Sequence, residues 1–163
     1  MIIGIDPGRS GSISMIDNDG KYIASYLWEE REKEEWVELA DEVIEAVVIE
    51  DVTLNRQSSK TMSGFYRNVG WWECFFEMLG HELIYVNPKV WQKHFGLLEA
   101  PKKYSTNFTK KEKDKAKREA SQAHKEKLKD FAVEKFGVEF RRKKDWDKAD
   151  ALLIAEWCRL HHV

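Results

Sequence analysis

Four acidic residues stand at positions from which carboxylates could do chemistry together. Asp6 closes the apolar run Ile2-Ile3-Gly4-Ile5, and Glu50 closes Val47-Val48-Ile49. Both positions read as C-terminal ends of strands, where side chains leave the sheet edge for a ligand crevice. Asp147 and Asp150 are three residues apart in a helical pattern, so they project from one face. Asp150 sits between Ala149 and Ala151, small neighbours that permit close packing on a sheet. A carboxylate in such an apolar stretch needs a compensating partner, because burying it unpaired is costly.

Three of the acids alone have ordinary explanations, and Asp150 is harder to dismiss. Asp6-Pro7-Gly8 fits a strand-end turn, Glu50 a surface residue after a strand, and Asp147 a charge favoured at a helix N-terminus. Together, in a chain without a His or Cys ligand cluster, they form an all-oxygen donor set that favours Mg2+ or Mn2+ over zinc. Four carboxylates can hold two such ions about 3.5–4 Å apart, activating a water on one side and steadying a leaving oxygen on the other. That is the chemistry of phosphodiester hydrolysis. No P-loop, nucleophilic Ser or Cys triad, or dinucleotide fingerprint competes with it.

The elements that must carry these acids follow from periodicity. Ser12-Ile13-Ser14-Met15-Ile16 alternates as a half-buried strand does, Asp17-Asn18-Asp19-Gly20 is a hairpin signal, and residues 21–27 make a third strand. The chain therefore opens as an antiparallel three-strand meander. Residues 31–45 predict an amphipathic helix with Trp36, Leu39, Ala40 and Val43 on one side, and residues 52–62 a polar loop. A helix over 63–80 stops at Gly80, Leu83–Val86 is a fifth strand, and Asn87-Pro88 starts a short helix carrying Val90, Trp91 and Phe95. After a loop at 97–108 come a long basic helix over 109–136, a basic connection at 141–144 and a final helix from Trp146 to about Leu160. The order βββαβαβα implies one α/β domain over residues 1–163, a mixed five-strand sheet flanked by helices.

Helix 63–80 carries two adjoining apolar stripes, Phe65-Val69-Trp72-Phe76-Leu79 and Trp71-Phe75-Met78. Their combined width exceeds what one core contact requires. Either the helix is sandwiched within the fold, or the second stripe forms a two-fold subunit interface; we favour the dimer.

A formal net charge of −2 conceals strong segregation. Residues 1–50 hold four Lys and Arg against thirteen Asp and Glu, whereas residues 101–144 hold sixteen against seven. A locally basic segment can bind a polyanion whatever the total, although a solvated mixed-charge helix would look similar. Cys74 and Cys158 have no metal-ligand spacing and imply no disulfide framework. No apolar run reaches the roughly 20 residues that span a bilayer, so a soluble, cytoplasmic protein is expected.

With these residues in view, the chain resembles the RuvC-type Holliday junction resolvases of the ribonuclease-H-like superfamily, phage versions included. Ile3-Gly4-Ile5-Asp6-Pro7-Gly8 resembles the family's opening motif, and Val48-Ile49-Glu50 the strand with its catalytic Glu. Val86-Asn87-Pro88 with Trp91 is similar to the segment after its next strand, and Asp147-Lys148-Ala149-Asp150-Ala151-Leu152 to its C-terminal acidic motif. The motifs occur in consistent order from Met1 almost to Val163. The resemblance implies a ribonuclease-H-like fold, a homodimer and two Mg2+ per active site. It further implies paired nicking of four-way DNA junctions to 5′-phosphate and 3′-hydroxyl ends. On it, Asp6 bridges the metals while Glu50, Asp147 and Asp150 complete their shells.

The Gly-rich loop with Phe that many relatives carry after the Glu is replaced here by Thr53-Leu54-Asn55-Arg56-Gln57-Ser58-Ser59-Lys60. Arg56, Gln57 and Lys60 are expected near the branch point. Lys102, Lys103, Lys110, Lys111, Arg141, Arg142, Lys143 and Lys144 are expected on phosphates, contacts that position DNA without reading it. The long basic stretch 102–129 could extend the substrates to forks and flaps. Alternatives are another ribonuclease-H-like nuclease acting on RNA or an RNA–DNA hybrid, or an inactive DNA-binding module. The module would be expected to lack some of the four acids. The actin-like sugar kinases share a Gly-x-Asp-x-Gly opening but need two such domains, and 163 residues hold one.

Overall fold

Strands form where the β-branched apolar runs predict them: β1 (Ile2–Asp6), β2 (Ser12–Ile16), β3 (Tyr22–Leu27), β4 (Ala46–Glu50) and β5 (Leu83–Val86). The computed structural model describes residues 1–8, 11–30, 42–51, 59–100 and 108–163, with the side chains of 59–63, 65 and 144 outside the description. The sheet order is β3-β2-β1-β4-β5. Antiparallel pairing joins β1 to β2 and β2 to β3, while β4 lies parallel to β1 and β5 parallel to β4. This is the mixed five-strand sheet expected, with β1 at its centre.

Strand alternation sorts the sheet into two buried faces. Ile3, Ile5, Val47 and Ile49 face one core, which is covered by α1 (Ser59–Met78) through Trp72 and Phe76. Ile2, Val48 and Val86 face the other. That side is covered by α4 (Trp146–His162), with α2 (Pro88–His94) and α3 (Lys110–Phe136) packed beside it. In period two, Asp6 is in phase with Ile2 and Gly4, and Glu50 with Ala46 and Val48. Both acids therefore emerge on the α4 face, at the same end of two adjacent parallel strands.

Gly4 lets α4 lie directly on β1. A Cβ there would stand 2.5 Å from the Ala155 nitrogen and closer still to the Ala151 carbonyl oxygen. Glycine within a strand marks such close backbone approach. Ser12 and Ser14 of β2 secure the same contact, their hydroxyls donating to the carbonyls of Asp147 at 2.6 Å and Lys148 at 2.9 Å.

Several boundaries differ from the sequence expectations. The helix expected at 63–80 begins at Ser59, because apolar periodicity reports burial rather than helicity and the Ser59-Lys60-Thr61 turn carries no apolar stripe. Residues 59–62, expected in a polar loop, are thus helical. Gly80 does end that helix, at φ 83°, with Gly80 donating to Glu77 and His81 to Phe76 in a Schellman arrangement. Of the helix expected at 31–45, residues 31–41 lie outside the described residues; 42–45 are not helical, and Val43 is 78% exposed rather than on an apolar face. The basic connection at 141–144 runs into a 3-10 turn, Lys143–Asp145, that leads into α4.

Much of the second α1 stripe is used within the chain. Trp71 packs edge-on to Trp28 and Trp72 at 5.3 and 4.7 Å, and Phe75 stacks on Trp71 at 5.1 Å. Met78 remains 82% exposed. Among the described residues, no helix is long and apolar enough to cross a membrane.

Candidate metal centre

The four acids converge from three elements. Carboxylate oxygens of Asp6, Asp147 and Asp150 lie within 4.8 Å of one another. Glu50 joins them from β4, close enough for its charge to act on Asp150 and for that of Asp6 to act on it. The Gly8 N–H donates to Asp6 Oδ1 at 3.0 Å, and the Trp91 indole N–H to Glu50 Oε2 at 2.9 Å. Asn68 of α1 donates from Nδ2 to the Gly8 carbonyl at 2.8 Å, bracing the turn after Asp6. Lys125 of α3 places Nζ 2.7 Å from Asp147 Oδ1.

Electrostatics show how crowded this charge is. Burial, with the Asp147 charge second, lifts the Asp6 carboxyl to about 6 despite the Gly8 N–H and Lys125. Burial and then Asp6 lift Glu50 to about 8, against the Trp91 bond. Asp150 is pushed well above the ordinary carboxylate range, first by burial and then by Asp6 and Glu50. Burial works against the Lys125 charge, but its bond to Asp147 and the nearby acids leave the ammonium more strongly protonated than usual. Like charges this close favour protonation or a bound cation. An all-carboxylate donor set suits Mg2+ or Mn2+, so the residues present fit the hard divalent ion the sequence implies.

The expected DNA-contacting residues are spread around this centre. Lys110 and Lys111 are exposed at the start of α3, and Lys143 lines a groove with Asp147. Arg141 pairs with Glu139, while Arg142 forks onto Asp145 at 2.7 and 2.9 Å. Arg56, Gln57, Lys102 and Lys103 lie outside the described residues, as do the side chains of Lys60 and Lys144. Three contributors were not singled out from sequence. Lys125 was one lysine among many, and Asn68 had no distinguishing context. Gly4 carried only the general signal of a glycine in a strand.

No protein-family model and no curated protein matches the chain. Among solved structures, it is similar to Thermus thermophilus RuvC in complex with a Holliday junction substrate. The TM-score is 0.55 at 17% identity, covering 95% of this chain and 90% of that one. A second Thermus thermophilus RuvC structure aligns at TM-score 0.46 and 16% identity, over 95% and 91% of the two chains. The first likeness shows the fold: a RuvC-like, ribonuclease-H-like mixed sheet with flanking helices.

Proposed function

We propose that residues 1–163 form one divalent-metal-dependent endonuclease domain that cuts branched DNA. In this reading it resolves four-way junctions by paired nicks, leaving 5′-phosphate and 3′-hydroxyl ends. The observation that carries it is the convergence of Asp6, Asp147 and Asp150 within 4.8 Å on a RuvC-like fold, with Glu50 beside them. The junction substrate in the similar Thermus thermophilus structure supports branched DNA over an RNA–DNA hybrid.

Asp6, Glu50, Asp147 and Asp150 are the residues that would hold two Mg2+, with Mn2+ able to substitute. Such ions, when bound, supply Lewis acidity to a phosphoryl group and lower the pKa of a coordinated water. The chain's own contribution is orientation. Gly8 and Trp91 fix one oxygen each of Asp6 and Glu50. Ser12 and Ser14 tie the first turn of α4 to β2, which sets the direction of Asp147 and Asp150. Lys125 offsets part of the negative charge that would otherwise repel a phosphate. Lys102, Lys103, Lys110, Lys111 and Arg141–Lys144 are the cations proposed for phosphates around the centre, with Arg56, Gln57 and Lys60 toward the branch point. Pairing through α1, where Tyr66 and Met78 are exposed, would give a homodimer with two sites for two strands.

The test is a Mg2+ cleavage panel on four-way junctions, forks, flaps, linear duplex and RNA–DNA hybrid. Symmetric junction nicks are expected, and Asp6→Asn should abolish them while metal-free DNA binding persists. Undiminished cutting by that variant would overturn the assignment.

A further inference from the structure

α3 runs for 27 residues, yet Leu128 and Ala132 are its buried side chains among those described. From Lys110 to Ser121, about 17 Å at 1.5 Å per residue, it carries no buried side chain. A helical stretch that short is marginal in water without tertiary support. Its start is nonetheless built with care: Thr109 and Glu112 form a reciprocal capping box.

One face of α3 is rich in cations, with Asp114 the acid among them. Lys111, Lys115, Arg118, Gln122, Lys125 and Lys129 alternate in steps of four and three, which places them along one side of the helix. Glu112, Glu119 and Glu126, each seven apart, run along a neighbouring stripe.

The cationic stripe leads into the metal centre. Lys125 reaches Asp147, and Lys129 and Lys143 each place an ammonium over the Trp146 ring, at 5.7 and 5.8 Å. A groove of about 600 Å³ between α3 and the start of α4 is lined by Arg118, Gln122, Lys125, Lys143, Trp146 and Asp147. A second, of about 560 Å³, shares Arg118 and continues past Lys115, Lys111 and Lys110, four cations against the one carboxylate of Asp114. Among the described residues Lys111 and Arg118 have no ion-pair partner. Lys115 meets Glu119 at 3.9 Å with both side chains largely exposed, a contact worth little and easily surrendered to a phosphate.

We infer that this stripe is the track for the sugar–phosphate backbone of the duplex arm leaving the metal centre. Beyond Lys125, which touches Asp147, it is a phosphate-binding surface away from the cutting chemistry, and it rests on the endonuclease reading for the identity of its ligand. Lys111 to Lys129 spans about 27 Å. At a rise of about 3.4 Å per nucleotide, one strand passes up to about eight phosphates over that length.

The experiment measures binding to a long-armed four-way junction in EDTA, where nothing is cut, across a range of salt concentrations. A triple variant, Lys111→Gln, Lys115→Gln and Arg118→Gln, should flatten the slope of log K against log salt by about 2–3, near 0.9 per lost phosphate contact. A control triple, Lys21→Gln, Lys113→Gln and Lys127→Gln, removes the same charge away from the stripe and should keep the wild-type slope. Circular dichroism should report unchanged helix content in both. A wild-type slope in the stripe variant, or an equal loss in both triples, overturns the track. Because no metal is present, a flattened stripe slope upholds the track even if wild-type protein fails to cut junctions. Junction cutting alongside an unaltered stripe slope would overturn the track and leave the endonuclease standing.

Discussion

Glu156 and Asp150 lie six residues apart on α4, and the fold treats their charges in opposite ways. Glu156 is 2% exposed and held by Lys135 at 3.0 Å and Arg159 at 2.7 Å. Burial pushes its carboxyl upward, but those bonds outweigh it and hold the group below the usual carboxylate range. Asp150 instead shares its space with Asp6, Asp147 and Glu50, and Lys125 is the cation that lowers it. The acid that serves the fold has been given its counter-charges by the chain. The set around Asp150 is left with a negative surplus among the described residues, which protonation or a bound metal cation can relieve.

The sharpest attempt to break this contrast is to neutralise one acid from each set. Asp150→Asn should lower Mg2+-dependent junction cutting by about 10³-fold or more, as loss of transition-state charge stabilisation does. It should also raise the melting temperature of metal-free protein at neutral pH, because a crowded charge has gone. Glu156→Gln should do the reverse, leaving cutting within a few-fold and lowering stability. Breaking a buried pair costs about 3–5 kcal/mol; with Lys135 a third exposed, about 2 kcal/mol is expected here, a fall of about 4–8 °C. Matching melting shifts of the same sign in the two variants would erase the distinction.

A gentler effect should appear in pH titration of stability without metal. Asp6 and Glu50 titrate near 6 and 8 in the fold, against ordinary values of 3.8 and 4.5. A raised carboxyl contributes stability that is complete below its unfolded value and disappears as pH rises through its folded one. Thermal melts in EDTA should therefore weaken between about pH 4 and pH 8 relative to Glu50→Gln measured alongside. Adding Mg2+ above pH 6 should recover the loss by binding the folded state. Melts of the two proteins that run parallel from pH 4 to 8 would show that the acids are not strained.

The acids were legible because two simple periodicities place them. Period two carries Asp6 and Glu50 out of adjacent strands on one face, and a three-residue helical step aligns Asp147 with Asp150. Lys125 was not legible, since its chemistry matches that of every other lysine on α3 and only packing against α4 selects it. Trp91 stood out by its place after Asn87-Pro88, but its indole bond to Glu50 depends on how α2 seats on the sheet. The start of α1 was missed because hydrophobic spacing registers burial and that turn offers no apolar face, whereas at 42–45 Val43 looked like the end of an apolar stripe yet is exposed and not helical. Charge totals revealed a basic segment without revealing that Lys111, Lys115, Arg118, Lys125 and Lys129 share one side of a helix.

The bare backbone at residue 4 has one more effect. Main chain rests on main chain there, so the spacing of the strand and helix backbones that carry the acids is governed by atoms that have no rotamers to exchange. Side chains can swing outward for a larger ion, but abutting backbones yield little. Mg2+ takes ligands at about 2.0–2.1 Å and Ca2+ at about 2.3–2.6 Å, a difference that a stiff seat registers as misfit. Were the four acids to hold a divalent ion, that missing methyl group would favour discrimination by ionic radius.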